Sequence, residues 1–164
     1  MAKVELKQPI VDEISSLLDG AQAMVIVDYR GLTVEEDTKL RKALRDGGVT
    51  YKVYKNTLIK RATAGTEFEA VAEILEGPTA IAVSKEDATA PARIIAENIK
   101  AMPNLEFKGG VVGGVYYDAK MIQVIANIPS REVLLGRLLG SIQSPIANFA
   151  RVIKQIAEKD EAVA

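Results

Sequence analysis

The 164-residue sequence contains no cysteine, no histidine and no tryptophan. Without cysteine there is no disulfide, which fits a cytoplasmic protein. Without cysteine and histidine, the common zinc sites are excluded, as are nucleophile–histidine triads and cysteine nucleophiles. Aromatic residues make up only 5% of the chain, so a stacking platform for single-stranded nucleic acid is not expected. The most apolar stretch, residues 21–27, is far too short to cross a membrane. The opening residues, Met1 to Gln8, are polar and mixed in charge, unlike a secretory signal. Neither a Walker motif nor a dinucleotide-binding glycine fingerprint is present. Gly110-Val-Val-Gly113 matches the Gly-x-x-Gly clamp of some RNA-binding domains only superficially: it holds no basic residue, and its flanks read as strand. The paired acids Glu35-Glu36 and Asp160-Glu161 sit at helix ends, where solvent exposure is expected. No catalytic group, metal or cofactor is expected.

The apolar content of 48% is normal for a chain with a real core. Ile10, Ile14, Leu17 and Leu18 recur at helical spacing and Gly20 follows, which predicts a helix from Lys3 to Leu18. Met24 to Tyr29 reads as a buried strand. Thr33 and Glu36 form a Thr-x-x-Glu capping pattern, opening a helix that Gly47-Gly48 closes. Val49 to Tyr54 alternates, with Val49, Tyr51 and Val53 facing in, giving a strand–helix–strand unit with a right-handed crossover. Asn56 caps a short helix to Ala64, and another runs from Glu67 to Leu75. Thr79 to Ser84 reads as a strand. A helix entered at Pro91 runs to Met102 and is stopped by Pro103. Leu105 to Tyr117 reads as irregular strands or a hairpin, and Asp118 to Ala126 as a helix. The fold class is α+β: a small mixed β-sheet packed with helices, then a long protruding C-terminal helix with a hinge. The domains are residues 1–128, globular, and 129–164, a helical tail.

Charge is the most local feature. The net charge is −1, yet between Thr38 and Ala64 stand Lys39, Arg41, Lys42, Arg45, Lys52, Lys55, Lys60 and Arg61 against the single acid Asp46. One account is a set of solvated helix faces. The other is a docking surface for a polyanion, to which Asn56 and Thr57 add groups suited to phosphate or sugar. Arg30-Gly31 lies between a strand and a capped helix. It is either an ordinary turn or a place where backbone, arginine and helix N-terminus meet an anion.

The tail carries a repeat. Leu135, Leu138, Leu139 and Ile142 form one apolar stripe, and eleven residues later Ile146, Phe149, Ala150 and Ile153 repeat it. Eleven residues are almost three helical turns, so both stripes lie on nearly one face. Ser144-Pro145 falls between them and predicts a kink or hinge. Such a helix can pack on its own domain, lie on a membrane surface or receive partner helices. Its length and repeat favour partners, and its five cations against four acids speak against a membrane.

Several strings together resemble one family. Val27-Asp28-Tyr29-Arg30-Gly31-Leu32-Thr33, Tyr54-Lys55-Asn56-Thr57-Leu58, Gly77-Pro78-Thr79-Ala80-Ile81-Ala82 and Ile128-Pro129-Ser130-Arg131-Glu132 resemble large-subunit ribosomal protein ten, the bacterial stalk-base family, as does the leucine-rich tail. The resemblance runs end to end. It implies a non-enzymatic constituent of the large ribosomal subunit in the cytoplasm. The N-terminal domain would bind large-subunit ribosomal RNA beside a neighbouring ribosomal protein. The tail would carry dimers of the acidic stalk protein, which recruit translational GTPases; the repeat predicts two of them, one per stripe. Arg30, Gly31, Thr33, Lys55, Asn56 and Thr57 match the family strings, and Lys60 and Arg61 extend them. Lys39, Lys42, Arg45 and Lys52 are assigned to RNA from charge. The chain lacks the long extra domain and acidic tail of archaeal and eukaryotic relatives. The alternative is a ribosome-assembly factor at the same RNA site, for which two docking stripes would have no use. An unrelated enzyme with an oligomerisation tail is a third.

Overall fold

The run Ala-Met-Val-Ile-Val that forms most of β1 (Ala23–Asp28) is apolar at every position because the strand is covered on both sides. The computed structural model describes residues 8–102 and 104–161, with side chains through Gln155. In it β1 is the middle strand of a five-stranded sheet. The others are β2 (Thr50–Val53), β3 (Ala80–Ser84), β4 (Glu106–Val112) and β5 (Val115–Asp118), in the order β2-β3-β1-β4-β5. Met24 and Ile26 point to one face, where α1 (Gln8–Leu18), α3 (Asn56–Thr63) and a 3₁₀ turn (Glu69–Glu73) supply Ile14, Leu18, Ile59 and Val71. Val25 and Val27 point to the other. There α2 (Val34–Asp46), α4 (Ala90–Ile99) and α5 (Ala119–Ile125) supply Leu40, Leu44, Ile95 and Ile122. Period-two alternation in the strand thus feeds two cores.

The sheet is antiparallel at all four pairings rather than mixed. β3 inserts between β1 and β2 and runs against both, so those two strands are parallel without touching. Pairing partners are chosen by tertiary packing, which local pattern does not encode. Val53, expected inward, is 40% exposed, because β2 is a short edge strand and ends there. Residues 67–75 make only the 3₁₀ turn and not a full helix. Leu105 to Tyr117 resolves into the β4–β5 hairpin, turned by Gly113 and Gly114 at φ 59° and 78°. Positive φ at both positions is what a two-residue hairpin turn needs. Gly110 lies inside β4, where a Cβ would stand 2.5 Å from the Met24 carbonyl oxygen, so it serves close strand approach. The expected helix start at Lys3 and the stop at Pro103 lie outside the described residues.

The chain separates into two compact units, Met1–Ile128 and Pro129–Ala164. The second is one helix, α6 (Arg131–Glu161), about 46 Å long at 1.5 Å per residue. It is not interrupted at Pro145. Helical geometry continues through it, and what proline removes is the hydrogen bond its N–H would have donated to the Ser141 carbonyl. Among the described residues, no helix is long and apolar enough to cross a membrane.

Candidate functional site

Sheet topology brings three sequence strings to one end of the first unit. Tyr29 follows the C-terminal end of β1. Tyr54 and Lys55 join β2 to α3, which opens with Asn56 and Thr57. Gly77, Pro78 and Thr79 lead into β3. Together with Val53 they line a surface groove of about 480 Å³. Three strings separated by 20 or more positions in sequence therefore share one concavity.

The nominated polar residues divide by what they hold. Asn56 does not cap α3. Lys55 occupies the cap position without a side-chain bond, and the Asn56 Nδ2 donates to the Gly77 carbonyl at 2.7 Å. Gly31 has φ 79°, and the close neighbour it admits is internal: Asn104 packs against it and donates to its carbonyl at 2.8 Å. Thr33 caps α2 through a complete capping box. Its N–H donates to the Glu36 carboxylate at 2.8 Å, and the Glu36 N–H donates to its hydroxyl. That end of α2 already carries Glu35, Glu36 and Asp37, so the proposed anion site at the helix N-terminus is filled by the chain's own carboxylates. Hydrogen bonds from Thr33 hold the Glu36 carboxyl below its ordinary pKa.

Two nominated cations are also engaged. Arg30 reaches Asp28 at 3.1 Å. Burial works against the Asp28 charge, but hydrogen bonds from Arg30 and the nearby Lys108 ammonium outweigh it and keep the pKa low. Lys52 pairs with Glu13 of α1, and the Tyr54 hydroxyl donates to the same carboxylate at 3.0 Å. The Lys52 hydrogen bond leads in lowering the Glu13 pKa. Arg41 likewise pairs with Asp37 and stacks over Tyr51, 5.2 Å from its ring centre.

Lys39, Lys42, Arg45, Lys55, Lys60 and Arg61 differ. All six are exposed and, among the described residues, none makes an ion pair. On α2, Lys39, Lys42 and Arg45 recur every three residues opposite the buried Leu40 and Leu44. On α3, Thr57, Lys60 and Arg61 occupy the face away from the buried Leu58, Ile59 and Ala62. Sequence reading missed Lys108, Asp28 and Asn104. Their partners lie 30 to 80 residues away, and no local pattern marks them.

In α6 the eight stripe residues fall within an arc of about 120°. Leu135, Leu138, Leu139, Ile142, Ile146, Phe149 and Ile153 are 49% to 73% exposed, and Ala150 is exposed with them. Arg137 and Arg151 lie on the other side of the helix, and Lys154 flanks the stripe.

Residues 2–100 match the family model for ribosomal protein L10, and residues 128–163 match that for the ribosomal protein uL10 C-terminal region. The chain belongs to the uL10 family. Similar proteins include the large ribosomal subunit protein uL10 of Clostridioides difficile (strain 630), 48% identical over 159 residues, covering 96% of this chain and 95% of the relative. The Clostridium acetobutylicum uL10 is 47% identical over 158 residues, 96% and 94% of the two chains. The Staphylococcus aureus (strain JH9) uL10 is 46% identical over 160 residues, 98% and 96%. As a uL10-family protein the chain is a structural, non-enzymatic constituent of the large subunit of the cytoplasmic ribosome, and it serves translation as part of that ribonucleoprotein.

Proposed function

We propose that residues 1–128 anchor the chain on large-subunit ribosomal RNA, and that residues 129–164 dock two dimers of the acidic ribosomal stalk protein. The observation that carries the RNA part is the set of six exposed cations on α2, on α3 and at the start of α3 that make no ion pair among the described residues, in a chain of net charge −1. Arg30, Arg41, Lys52, Arg93 and Lys108, by contrast, are each paired with a carboxylate. Unpaired ammonium and guanidinium groups are free to replace the counterions of a phosphate backbone. Lys39, Lys42, Arg45, Lys55, Lys60 and Arg61 are the phosphate contacts, and Thr57 adds a hydroxyl among them. Arg30, Gly31, Thr33, Lys52 and Asn56 shape the surface from within through the bonds described above.

The tail part is supported by an apolar stripe exposed along its length. Burying one large apolar side chain is worth roughly 1.5–3 kcal/mol, and the first stripe offers Leu135, Leu138, Leu139 and Ile142, the second Ile146, Phe149 and Ile153 with the smaller Ala150. A neighbouring ribosomal protein shares the RNA site, and translational GTPases are recruited indirectly through the stalk dimers.

The test of the RNA part uses the full chain and deproteinised large-subunit RNA. Binding is expected to weaken steeply with salt, and the triple variant Lys39→Glu/Lys42→Glu/Arg45→Glu is expected to lose most of it. Equal binding by wild type and triple variant would remove α2 from the interface.

A further inference from the structure

We propose that Lys108 is a positioning residue for the RNA groove: it holds the loop of residues 76–79 from behind, anchored by Asp28, without itself touching phosphate. The inference rests on the RNA reading above. Lys108 comes from β4, and its side chain is 19% exposed. Its Nζ donates to the Glu76 carbonyl at 2.6 Å and also to the Pro78 carbonyl, and lies 3.6 Å from the Asp28 carboxylate. The carbonyl between them, Gly77, accepts from Asn56 and from the Thr79 hydroxyl. Three consecutive backbone oxygens are therefore engaged from inside the chain.

The groove is lined by Gly77, Pro78 and Thr79 on one wall and by Lys55, Asn56 and Thr57 on another, but not by Lys108. Carbonyl oxygens are partial negative charges. Released into this groove, they would oppose a polyanion and leave the loop free to move. A half-buried ammonium is suited to prevent both. It satisfies two carbonyls with charge-assisted bonds, which are stronger than neutral ones. It also cancels the Asp28 charge that would otherwise stand close to the groove. Asp28 in turn shares its carboxylate between Lys108 and Arg30, so one acid links the loop to the first family string.

The experiment compares full-length wild type, Lys108→Met, Asp28→Asn and Lys55→Glu, binding deproteinised large-subunit RNA across a salt series. Thermal melts check that each variant folds. Lys108→Met is expected to weaken binding roughly tenfold, the scale of one charge-assisted hydrogen bond, while leaving the log–log salt slope at its wild-type value. Lys55→Glu, a phosphate contact, is expected to lower that slope by about one unit. Asp28→Asn keeps the shape of the side chain and removes a negative charge. Bulk electrostatics alone would make it bind RNA more tightly, whereas loss of the anchor makes it bind more weakly. A slope change in Lys108→Met as large as that of Lys55→Glu would overturn the proposal by making Lys108 a direct contact. Tighter binding by Asp28→Asn would overturn it too, and if Lys108→Met fails to fold this variant decides alone. These results leave the RNA reading standing. Absence of salt-dependent binding by wild type would remove that reading and the positioning role together.

Discussion

The two units spend the same kinds of side chain in opposite ways. In the first, Ile14, Met24, Ile26, Leu40, Leu44 and Ile81 are at most 1% exposed. In α6, Ile142, Ile146 and Phe149 are 61%, 73% and 68% exposed. Charge is divided too. Around the sheet, Arg30, Arg41, Lys52, Arg93 and Lys108 each pair with a carboxylate, while Lys39, Lys42, Arg45, Lys55, Lys60 and Arg61 make no ion pair among the described residues. Apolar area left in water and charge left unpaired are both unspent in this chain. The comparison teaches that where the fold does not consume an interaction, a partner is the natural recipient.

The largest expected effect tests the apolar half of that contrast. Ile26→Ala, at the middle of the sheet, is expected to lower stability by about 2–5 kcal/mol in urea unfolding. Ile146→Ala is expected to leave the free chain within about 0.5 kcal/mol of wild type, as surface substitutions do, and to weaken only the stalk-protein contact. Similar losses from both would mean that the stripe is already packed in the free protein.

Next comes charge. Lys55→Glu/Arg61→Glu is expected to reduce the log–log salt slope of RNA binding by roughly one to two units, with Lys120→Glu on α5 as a neutral control. Wild-type binding by the double variant would return these cations to the status of solvated surface.

Smaller is the loss of a cap. Thr33→Ala removes the hydroxyl from the α2 capping box and is expected to cost about 1 kcal/mol in a thermal melt. RNA affinity at temperatures where the variant is folded is expected to change little, since Thr33 is turned to Glu36. A large affinity loss with an unchanged melt would move Thr33 to the interface.

The smallest effect at neutral pH concerns Tyr51. Burial, aided by the Asp37 charge, pushes its phenol up to about 12. A group raised in the folded state contributes stability that is fully present below its unfolded value and is lost as pH rises through the folded one. The window is therefore about pH 10 to 12. Tyr54 and Tyr116 are raised as well, so ultraviolet titration is expected to show Tyr51 as the last step of a delayed tyrosine titration, and Tyr51→Phe to abolish that last step. Its persistence in Tyr51→Phe would assign it to another residue.

Elements governed by local chemistry were legible in the sequence. The capping pair Thr33 and Glu36 meets across one helical turn, so its geometry follows from spacing. The glycine pair at 113–114 supplies the φ values a tight hairpin needs, and β1 announces two-sided burial by an unbroken apolar run. What depends on distant neighbours was not legible. β3 separates β1 from β2, so the strand–helix–strand unit closes around a strand that arrives 27 residues after β2 begins to turn away. Lys52 reads as a free cation until Glu13, 39 residues earlier, is folded beside it. Asn56 reads as a cap and is a tether, because Gly77 arrives 21 residues later. Charge counting finds a basic segment, and only the fold sorts its members into paired and unpaired.

The central claim is that α6 is a rod with two equivalent docking stripes, separate in function from the unit before it. Native mass spectrometry of complexes with the acidic stalk protein tests it most directly, using the full chain and chains ending at Ser144 and at Ser130. The account predicts two dimers, one and none, with binding to large-subunit RNA retained in all three and Phe149→Asp in the full chain reproducing the single dimer. Two dimers on the chain that ends at Ser144 would contradict it, and would make the eleven-residue repeat the outline of one continuous amphipathic helix.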